Sequence, residues 1–359
     1  VMIFAYIFLF ILFLLDCKPH YFRNGINKNY LSKNETLPIK GIFVILVFFR
    51  HFRSYVDMDH GLLNHLFVML DSRSSQLIVT MFFFYSGYGI LEQLNKNKNY
   101  ISSFISHRFV PTYISFFVCV FIYFMISLTN GKSFSPLDIF LCFLGWNDSF
   151  GNSNWFMLVT FALYIIFYIS FSFKRKMDDR KHLFYKLSIF NILTLFLILL
   201  LAKYKKHYWY NTLLCFNIGM WFSYFREKIE FFFNKNNKNF FILFLIIAVA
   251  FLCSFFLIET QSPLFIIKAL LFSVMIVMFQ TKISLQKSII FNHLGNHVFS
   301  FYMLQRIPFM IFKNLKFDSN IYVFFILTFI FTVIISLGYD YIFNGIKSFI
   351  CNRIQKTNS

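Results

Sequence analysis

The stretch KGIFVILVFFRH, residues 40–51, is apolar except for a Lys at its start and an Arg and a His at its end. Similar apolar runs recur along the chain of 359 residues, of which 58% are hydrophobic and 14% charged. Soluble domains contain about 25% charged residues. A soluble core could not bury 58 Phe and 20 Tyr side chains, whereas lipid can surround them. The composition therefore predicts a polytopic membrane protein.

Eleven apolar runs are candidates for membrane helices. They lie near 2–15, 37–56, 76–94, 109–128, 154–173, 185–202, 208–225, 240–258, 264–280, 296–313 and 321–346. Backbone polar groups in lipid must be hydrogen-bonded within a segment, and these runs are too long for barrel strands, so we expect helices. A span needs about 20 apolar residues, and the first run is shorter than that. The predicted fold class is all-α, a polytopic transmembrane bundle of about ten core helices plus one N-terminal hydrophobic segment.

The charged loops predict an orientation in the membrane. If the runs alternate in direction, one set of loops carries 21 Lys and Arg and the opposite set carries 6. Positively charged loops stay in the cytoplasm, so we expect the N-terminus outside and the C-terminus inside. The predicted organisation is an N-terminal hydrophobic segment with a basic cytoplasmic loop (1–36), a membrane domain (37–346) and a cytoplasmic tail (347–359).

Nucleic-acid binding and metal binding are not predicted. The net charge of +19 comes from short basic loops, and no basic helix or aromatic and basic platform accompanies it. The six cysteines lack CxxC or other metal-ligand spacing, which favours small apolar packing residues. The apolar runs leave no room for a soluble catalytic domain, so any chemistry must lie in or at the membrane.

Lys40 and His51 are ionisable residues at the two ends of one apolar run. Eleven residues at 100° each return a helix to within about 20° of its starting direction, so the two share one stripe, about 16 Å apart along the axis. Arg50 points roughly 80° away. Ionisable residues inside a membrane indicate function by default, which makes this stripe a candidate polar path. A histidine hydrogen-bonded within the bundle and a lysine reaching the interface would explain the same pattern.

Two further segments of the apolar runs and their borders contain candidate site residues. MFFFYSGYG, 81–89, places small residues among bulky ones, and its Ser86 and Tyr88 are candidate pocket residues, although close helix packing also favours small residues. HRFVPTY, 107–113, places Arg108 and Pro111 where a basic loop enters a span. Pro is common in a first helical turn, and Arg108 is either a ligand-binding residue or a cytoplasmic anchor.

Two later segments carry polar residues into apolar surroundings. NSNWFMLVTFALY, 152–164, begins a helix with Asn154 and Trp155, and an interfacial aromatic belt would also explain the Trp. LGNHVFSFYMLQRIP, 294–308, carries Gln305 and Arg306 deep inside a late run. Such residues are costly in lipid, so both are candidate substrate or pocket residues.

In this order the motifs resemble the acyltransferase family 3 membrane proteins, which acylate sugars of bacterial surface polysaccharides. Lys40 and His51 match the basic-x10-His signature of that family, and residues 81–89 resemble its FF-x-x-SG segment. Residues 108–113 resemble its R-x-x-P-x-Y entry to the next helix. NSNWF and LGNHVFSFYMLQ are similar to its W-[FY] helix and its LG-x-x-S-[FIY]-Y element. The resemblance covers about 37–346, the whole core.

Two positions differ from the family pattern. Ile105 stands where many relatives have the first Arg of an R-x-x-R pair, and Gln305 stands where many have His. The first difference leaves one arginine where the resemblance implies a pair that would bind the acyl donor together. The second difference removes a second histidine. The extracytoplasmic domain fused to some members has no counterpart in this sequence.

The resemblance implies transfer of an acyl group, expected to be acetyl, from acyl-CoA as co-substrate, with no bound cofactor. The acceptor would be a hydroxyl of a polysaccharide or of its lipid-linked precursor (lipopolysaccharide, capsule or exopolysaccharide), at a bacterial inner (plasma) membrane. His51 would be the base, because an imidazole can take the proton of an attacking hydroxyl. Lys40 and Arg108 would hold the CoA phosphates or developing negative charge.

Two other functions remain open from the residues themselves. A transporter or flippase of a lipid-linked glycan would also need many helices and intramembrane charges. It predicts paired repeats, and the two halves of the sequence share no duplicated charge pattern. A structural partner in a polysaccharide assembly complex is the other alternative.

Overall fold

The computed structural model describes residues 3–18, 25–57, 61–97, 99–172, 180–286 and 288–357, with side chains as far as residue 345. The predicted basic loops 16–36 and 174–184 therefore lie partly outside the described residues, at 19–24 and 174–179. The side chains of the predicted tail 347–359 lie outside them entirely.

Helices account for most of the described chain. The first eight are α1 (Ile3–Asp16), α2 (Lys33–Arg53), α3 (Leu62–Ser74), α4 (Leu77–Lys96), α5 (Tyr100–Phe104), α6 (Val110–Thr129), α7 (Pro136–Phe143) and α8 (Trp155–Ser172). The next eight are α9 (Arg180–Tyr204), α10 (Leu214–Lys235), α11 (Asn237–Leu257), α12 (Phe265–Lys282), α13 (Ile289–Asn296), α14 (Val298–Leu304), α15 (Arg306–Asn314) and α16 (Ile321–Thr357). Among the described residues, extended pairing is limited to a bridge between Lys18 and Ser284.

Seven helical stretches of the described chain are long and apolar enough to cross a membrane. They are Leu62–Lys96, Tyr100–Thr129, Trp155–Ser172, Arg180–Tyr204, Asn237–Leu257, Phe265–Lys282 and Ile321–Gly345. The other four predicted runs also form helices, in α1, α2, α10 and the pair α14–α15. They fall outside the seven for different reasons. α1 is short, α2 and α10 carry several charges, and the run 296–313 is interrupted between α14 and α15. The predicted polytopic helical bundle is confirmed.

The structure also contains helices that apolar run length did not predict. α3 lies between the predicted runs 37–56 and 76–94, and α13 lies between the predicted runs 264–280 and 296–313 except for its last residue, Asn296. Their apolar stretches are shorter than a span, so a prediction based on span length overlooks them. The run 296–313 was predicted as one helix, but it is divided at Gln305 into α14 and α15.

The described chain forms two compact units. The first contains Val1–Val47, Met58–Ser102 and Leu163–Asn296, and the second contains Phe48–Asp57, Ser103–Ala162 and His297–Ser359. Three helices contribute to both units, since the last turns of α2, the end of α5 and the first turns of α8 belong to the second.

The first unit is built on close helix contacts at glycines. Gly87 of α4 lies against the Phe216 carbonyl of α10, and Gly219 of α10 lies against the Phe84 carbonyl of α4. A Cβ added to either glycine would be about 2 Å from that carbonyl oxygen. The small residues of the 81–89 segment therefore allow two helices to approach, as the packing alternative for this segment predicts.

The second unit is held together by aromatic packing and by hydrogen bonds between helices. The Phe48 ring, on α2, lies 4.9 Å from the Phe309 ring of α15 and 5.2 Å from the Phe329 ring of α16. The Tyr123 hydroxyl of α6 donates to the Met303 carbonyl of α14, at 2.9 Å. These contacts bring the last turn of α2 beside α14 and α15.

Candidate active site

The predicted site residues divide between the two units. The first unit contains Lys40, Ser86 and Tyr88, and the second contains His51, Arg108, Asn154, Trp155, Gln305 and Arg306. Lys40 and His51 both lie on the continuous helix α2, and Val44 and Val47 between them are buried, so their shared stripe is a packed face of the helix.

Lys40 lies beside a tyrosine in the first unit. Its ammonium is 5.4 Å from the centroid of the Tyr85 ring, a distance typical of a cation–π contact. The Tyr85 hydroxyl donates to Oε1 of Gln280 at 2.7 Å, which fixes the ring against α12. Ser86, the next residue, is only partly buried.

Tyr88 belongs to an ion-pair network in the first unit. Its hydroxyl accepts a hydrogen bond from Nη1 of Arg226 at 2.8 Å, and Nε of the same arginine lies 2.7 Å from Glu230. Glu92 lies 3.7 Å from Arg226 and accepts a hydrogen bond from Ser223. The arginine and these carboxylates line a cavity of about 450 Å³. The Tyr88 hydroxyl is thus engaged with a charged side chain of its own unit.

His51 lies in the last turn of α2, within the part of that helix that belongs to the second unit. Its Nδ1 is buried and makes no hydrogen bond to a described residue. The imidazole and the Tyr302 ring are 6.3 Å apart, centroid to centroid. Arg306 and Arg50 place positive charge near the ring. An imidazole with an unbonded nitrogen is chemically able to exchange a proton with a bound molecule.

Two polar side chains, those of Gln305 and Arg306, lie at the break between α14 and α15. Gln305 is fully buried, and its Nε2 donates to the Tyr302 carbonyl at 3.0 Å, while its Oε1 has no partner among the described residues. Arg306 is the first residue of α15. Breaking the helix here turns Arg306 toward the segment that precedes α8, and its Nη1 donates to the Asn152 carbonyl at 3.3 Å.

The segment before α8 is held by asparagines. Nδ2 of Asn154 donates to the Cys142 carbonyl at 3.2 Å and to the Asn147 carbonyl at 2.6 Å. Its Oδ1 accepts a hydrogen bond from Asn152. Asn154, predicted as a pocket residue, therefore has a structural role in shaping this segment. Asn152 is also fully buried, and its own Oδ1 has no described partner.

The remaining two predicted residues of the second unit are Trp155 and Arg108. Trp155 is partly buried, with its ring 5.8 Å from that of Phe156, and Phe156 in turn lies 5.4 Å from the Tyr302 ring. Arg108 lies in a single π-helical turn, Ile105–Phe109, which leads into α6. Such turns are frequent at functional sites.

Five buried polar side-chain atoms of the second unit lack partners in the described part of the chain. The atoms without a hydrogen bond to any described residue are His51 Nδ1, Asn152 Oδ1, Tyr302 Oη, Gln305 Oε1 and Arg306 Nε. Leaving one such group unsatisfied costs about 1–3 kcal/mol, so each of these atoms is a candidate to bind a polar ligand. The described residues contain no group of His, Cys, Asp and Glu that could hold a metal ion.

Tyr302 and Asn152 were not among the residues predicted from the sequence. Tyr302 ends the Ser-Phe-Tyr triplet, 300–302, of the segment LGNHVFSFYMLQ that the sequence analysis singled out, so that segment could have identified it. Asn152 had no distinguishing sequence signal, because its proximity to Arg306 depends on the helix break at Gln305.

A second histidine of the same unit also escaped prediction. His297, at the start of α14, has its Nδ1 2.5 Å from Oδ2 of Asp340 on α16. Ser300 donates to the same carboxylate oxygen at 2.7 Å. These contacts fasten α14, and with it Tyr302, to the long last helix.

Comparison with known protein families identifies the chain. The model of a family described as an acyltransferase domain, acyltransferase family 3, matches residues 39–340, most of the chain. The chain belongs to acyltransferase family 3. The match extends from just before Lys40 to Asp340. It therefore includes every predicted site residue and leaves out the N-terminal segment 1–36. Searches of curated proteins and of solved structures gave no significant match.

Proposed function

We propose that this family 3 acyltransferase transfers an acyl group, which we take to be acetyl, from acyl-CoA to a hydroxyl of a bacterial surface glycan or its lipid-linked precursor. The observation that carries the proposal is the buried Nδ1 of His51, which makes no hydrogen bond to any described residue. Membership of the family supports acyl transfer as the reaction class.

The proposed reaction begins with the acceptor hydroxyl, a poor nucleophile at neutral pH. His51 takes the hydroxyl proton as the oxygen attacks the thioester carbonyl carbon. The carbon–sulfur bond then breaks, and the proton finally resides on the thiol of CoA, so that an ester and free CoA are the products. Tyr302 and Asn152 supply hydrogen-bonding groups where the sugar would lie, since both have unbonded buried oxygens.

The two substrates approach from opposite sides of the membrane in this proposal. CoA carries phosphates and remains at the cytoplasmic face, where the predicted orientation places the basic loops. Lys40 and Arg108 are proposed to bind the donor, because cations hold phosphate groups through charge-assisted hydrogen bonds. The proposed location is a bacterial plasma membrane, with the glycan acceptor on or crossing it.

Loss of surface acylation in a His51 variant tests the proposal. In a strain whose surface-glycan acylation depends on this protein, His51→Gln should abolish ester-linked acetate, measured by mass spectrometry of the purified glycan. The matched control is His65→Gln, since His65 is an exposed histidine of α3, and this variant should retain full acylation. Normal acylation with His51→Gln contradicts the assignment. Unchanged acyl content together with accumulated lipid-linked precursor in a deletion strain favours the flippase alternative.

A further inference from the structure

Arg306 is a largely enclosed cation without a carboxylate partner in the described part of the chain. Its Nη1 makes one long hydrogen bond, 3.3 Å, to the Asn152 carbonyl, and its guanidinium lies 5.6 Å from the centroid of the Tyr55 ring. Its buried Nε donates to no described residue. Removing a charge from water without pairing it costs several kcal/mol. A partly buried guanidinium whose buried Nε has no described partner is a candidate binding site for an anionic group.

The unbonded edge of the guanidinium has a specific shape. Because Nη1 is directed to the Asn152 carbonyl, the edge formed by Nε and Nη2 makes no hydrogen bond to the described residues. Two parallel N–H groups on one edge match the two oxygens of a carboxylate in a bidentate pair. A single developing oxyanion would need only one of these donors.

The position of Arg306 indicates which of the two substrates would supply the anion. Lys313, two turns further along α15, donates to the Tyr55 carbonyl just beyond the end of α2. In the orientation that the loop charges predict, these ends of α2 and α15 face the outside. The phosphates of CoA would remain at the opposite face, so a permanent anion at Arg306 would come from the acceptor.

We infer that the acceptor glycan carries a carboxylate close to the hydroxyl that is acylated, and that Arg306 binds this carboxylate through its Nε–Nη2 edge. The inference rests on the proposed function and adds the substrate class, an acidic sugar. The neighbouring unbonded oxygens of Asn152 and Tyr302 would meet hydroxyl groups of the same sugar. Arg306 is then a specificity-determining residue that raises affinity for acidic acceptors.

The test compares an acidic acceptor with its neutral counterpart. The full-length protein in lipid nanodiscs receives radiolabelled acetyl-CoA and the de-O-acylated surface glycan of the producing bacterium, either native or with its carboxylates converted to carboxamides. Amidation should lower kcat/KM for the wild type by about 10–100-fold, mainly through KM, the range expected for a charge-assisted hydrogen-bonded pair. In Arg306→Gln the two glycans should react within about 3-fold of each other, at the level of the amidated glycan with wild type.

The control and the contradicting outcomes are distinct. Lys313→Gln removes a cation from the same helix and should keep the wild-type preference for the acidic glycan. A native glycan without carboxylates overturns the inference. So does an Arg306→Gln enzyme that loses activity equally on both glycans while keeping their ratio, because Arg306 would then act on the oxyanion. Absence of transfer to either glycan by the wild type overturns the proposed function, and this inference with it.

Discussion

Gly87→Ala is expected to destabilise the contact between α4 and α10. A Cβ at this position would lie 2.0 Å from the Phe216 carbonyl oxygen, whereas real Cβ contacts under 3.0 Å essentially do not occur. The two helices must therefore separate locally by roughly 1 Å, and such overpacking costs about 1–3 kcal/mol. The reciprocal contact at Gly219, with a distance of 2.1 Å to the Phe84 carbonyl, would be disturbed by the same movement.

Gly89→Ala provides a matched control on the same helix. A Cβ at Gly89 meets nothing within 4 Å. Both substitutions gain about 0.5–1 kcal/mol from the better helix propensity of Ala, so this contribution cancels when the two variants are compared. Gly87→Ala should consequently be less stable than Gly89→Ala by about 1–3 kcal/mol.

The assay is thermal unfolding of the purified variants in one detergent, followed by the loss of the monodisperse peak in size-exclusion chromatography. At roughly 2 °C per kcal/mol, the midpoint for Gly87→Ala should fall about 2–6 °C below that for Gly89→Ala. Equal midpoints, or a higher midpoint for Gly87→Ala, would refute the account of close helix packing.

Three further variants test individual contacts. Lys268→Met should lower the unfolding midpoint by several degrees, because the Lys268 ammonium donates to three backbone carbonyls, and Lys313→Met should lower it less; equal shifts would contradict this. Asn154→Ala leaves two carbonyls without their donor, at about 1–3 kcal/mol each, and should expose the buried Cys142 to maleimide labelling; unchanged labelling speaks against it. Tyr302→Phe should lower acetyl transfer about 10-fold with an unchanged unfolding midpoint, measured with radiolabelled acetyl-CoA, and full activity would exclude a role for the hydroxyl.

Much of the fold could be predicted from the sequence because lipid imposes simple rules on length and polarity. The run 240–258, for example, corresponds to α11, Asn237–Leu257, within a few residues at each end. Run length alone did not predict the break at Gln305, although Pro308 is a signal for it, since a proline inside a helix cannot donate to the carbonyl four residues earlier. α3 was also missed, because a helix of 13 residues is shorter than a span.

The candidate site was only partly predictable. His51 and Arg306 stand out because ionisable residues in apolar runs are rare and costly. Asn152 does not, because an asparagine before a helix is ordinary until the fold brings it to Arg306. Tyr88 was also a pocket candidate, and the sequence alone did not show that its hydroxyl accepts a hydrogen bond from Arg226 within the first unit. Long-range packing, which a single sequence does not encode as a local pattern, decides these cases.

The central claim is that His51 promotes acyl transfer, and reconstituted protein tests it most directly. The measurement is the amount of radiolabelled acetate esterified to the de-O-acylated surface glycan by proteoliposomes supplied with labelled acetyl-CoA. The wild type should transfer label, whereas His51→Gln, folded to the same unfolding midpoint, should be slower by at least about 100-fold, within the range attributed to general base catalysis. Transfer by His51→Gln at the wild-type rate would contradict the account.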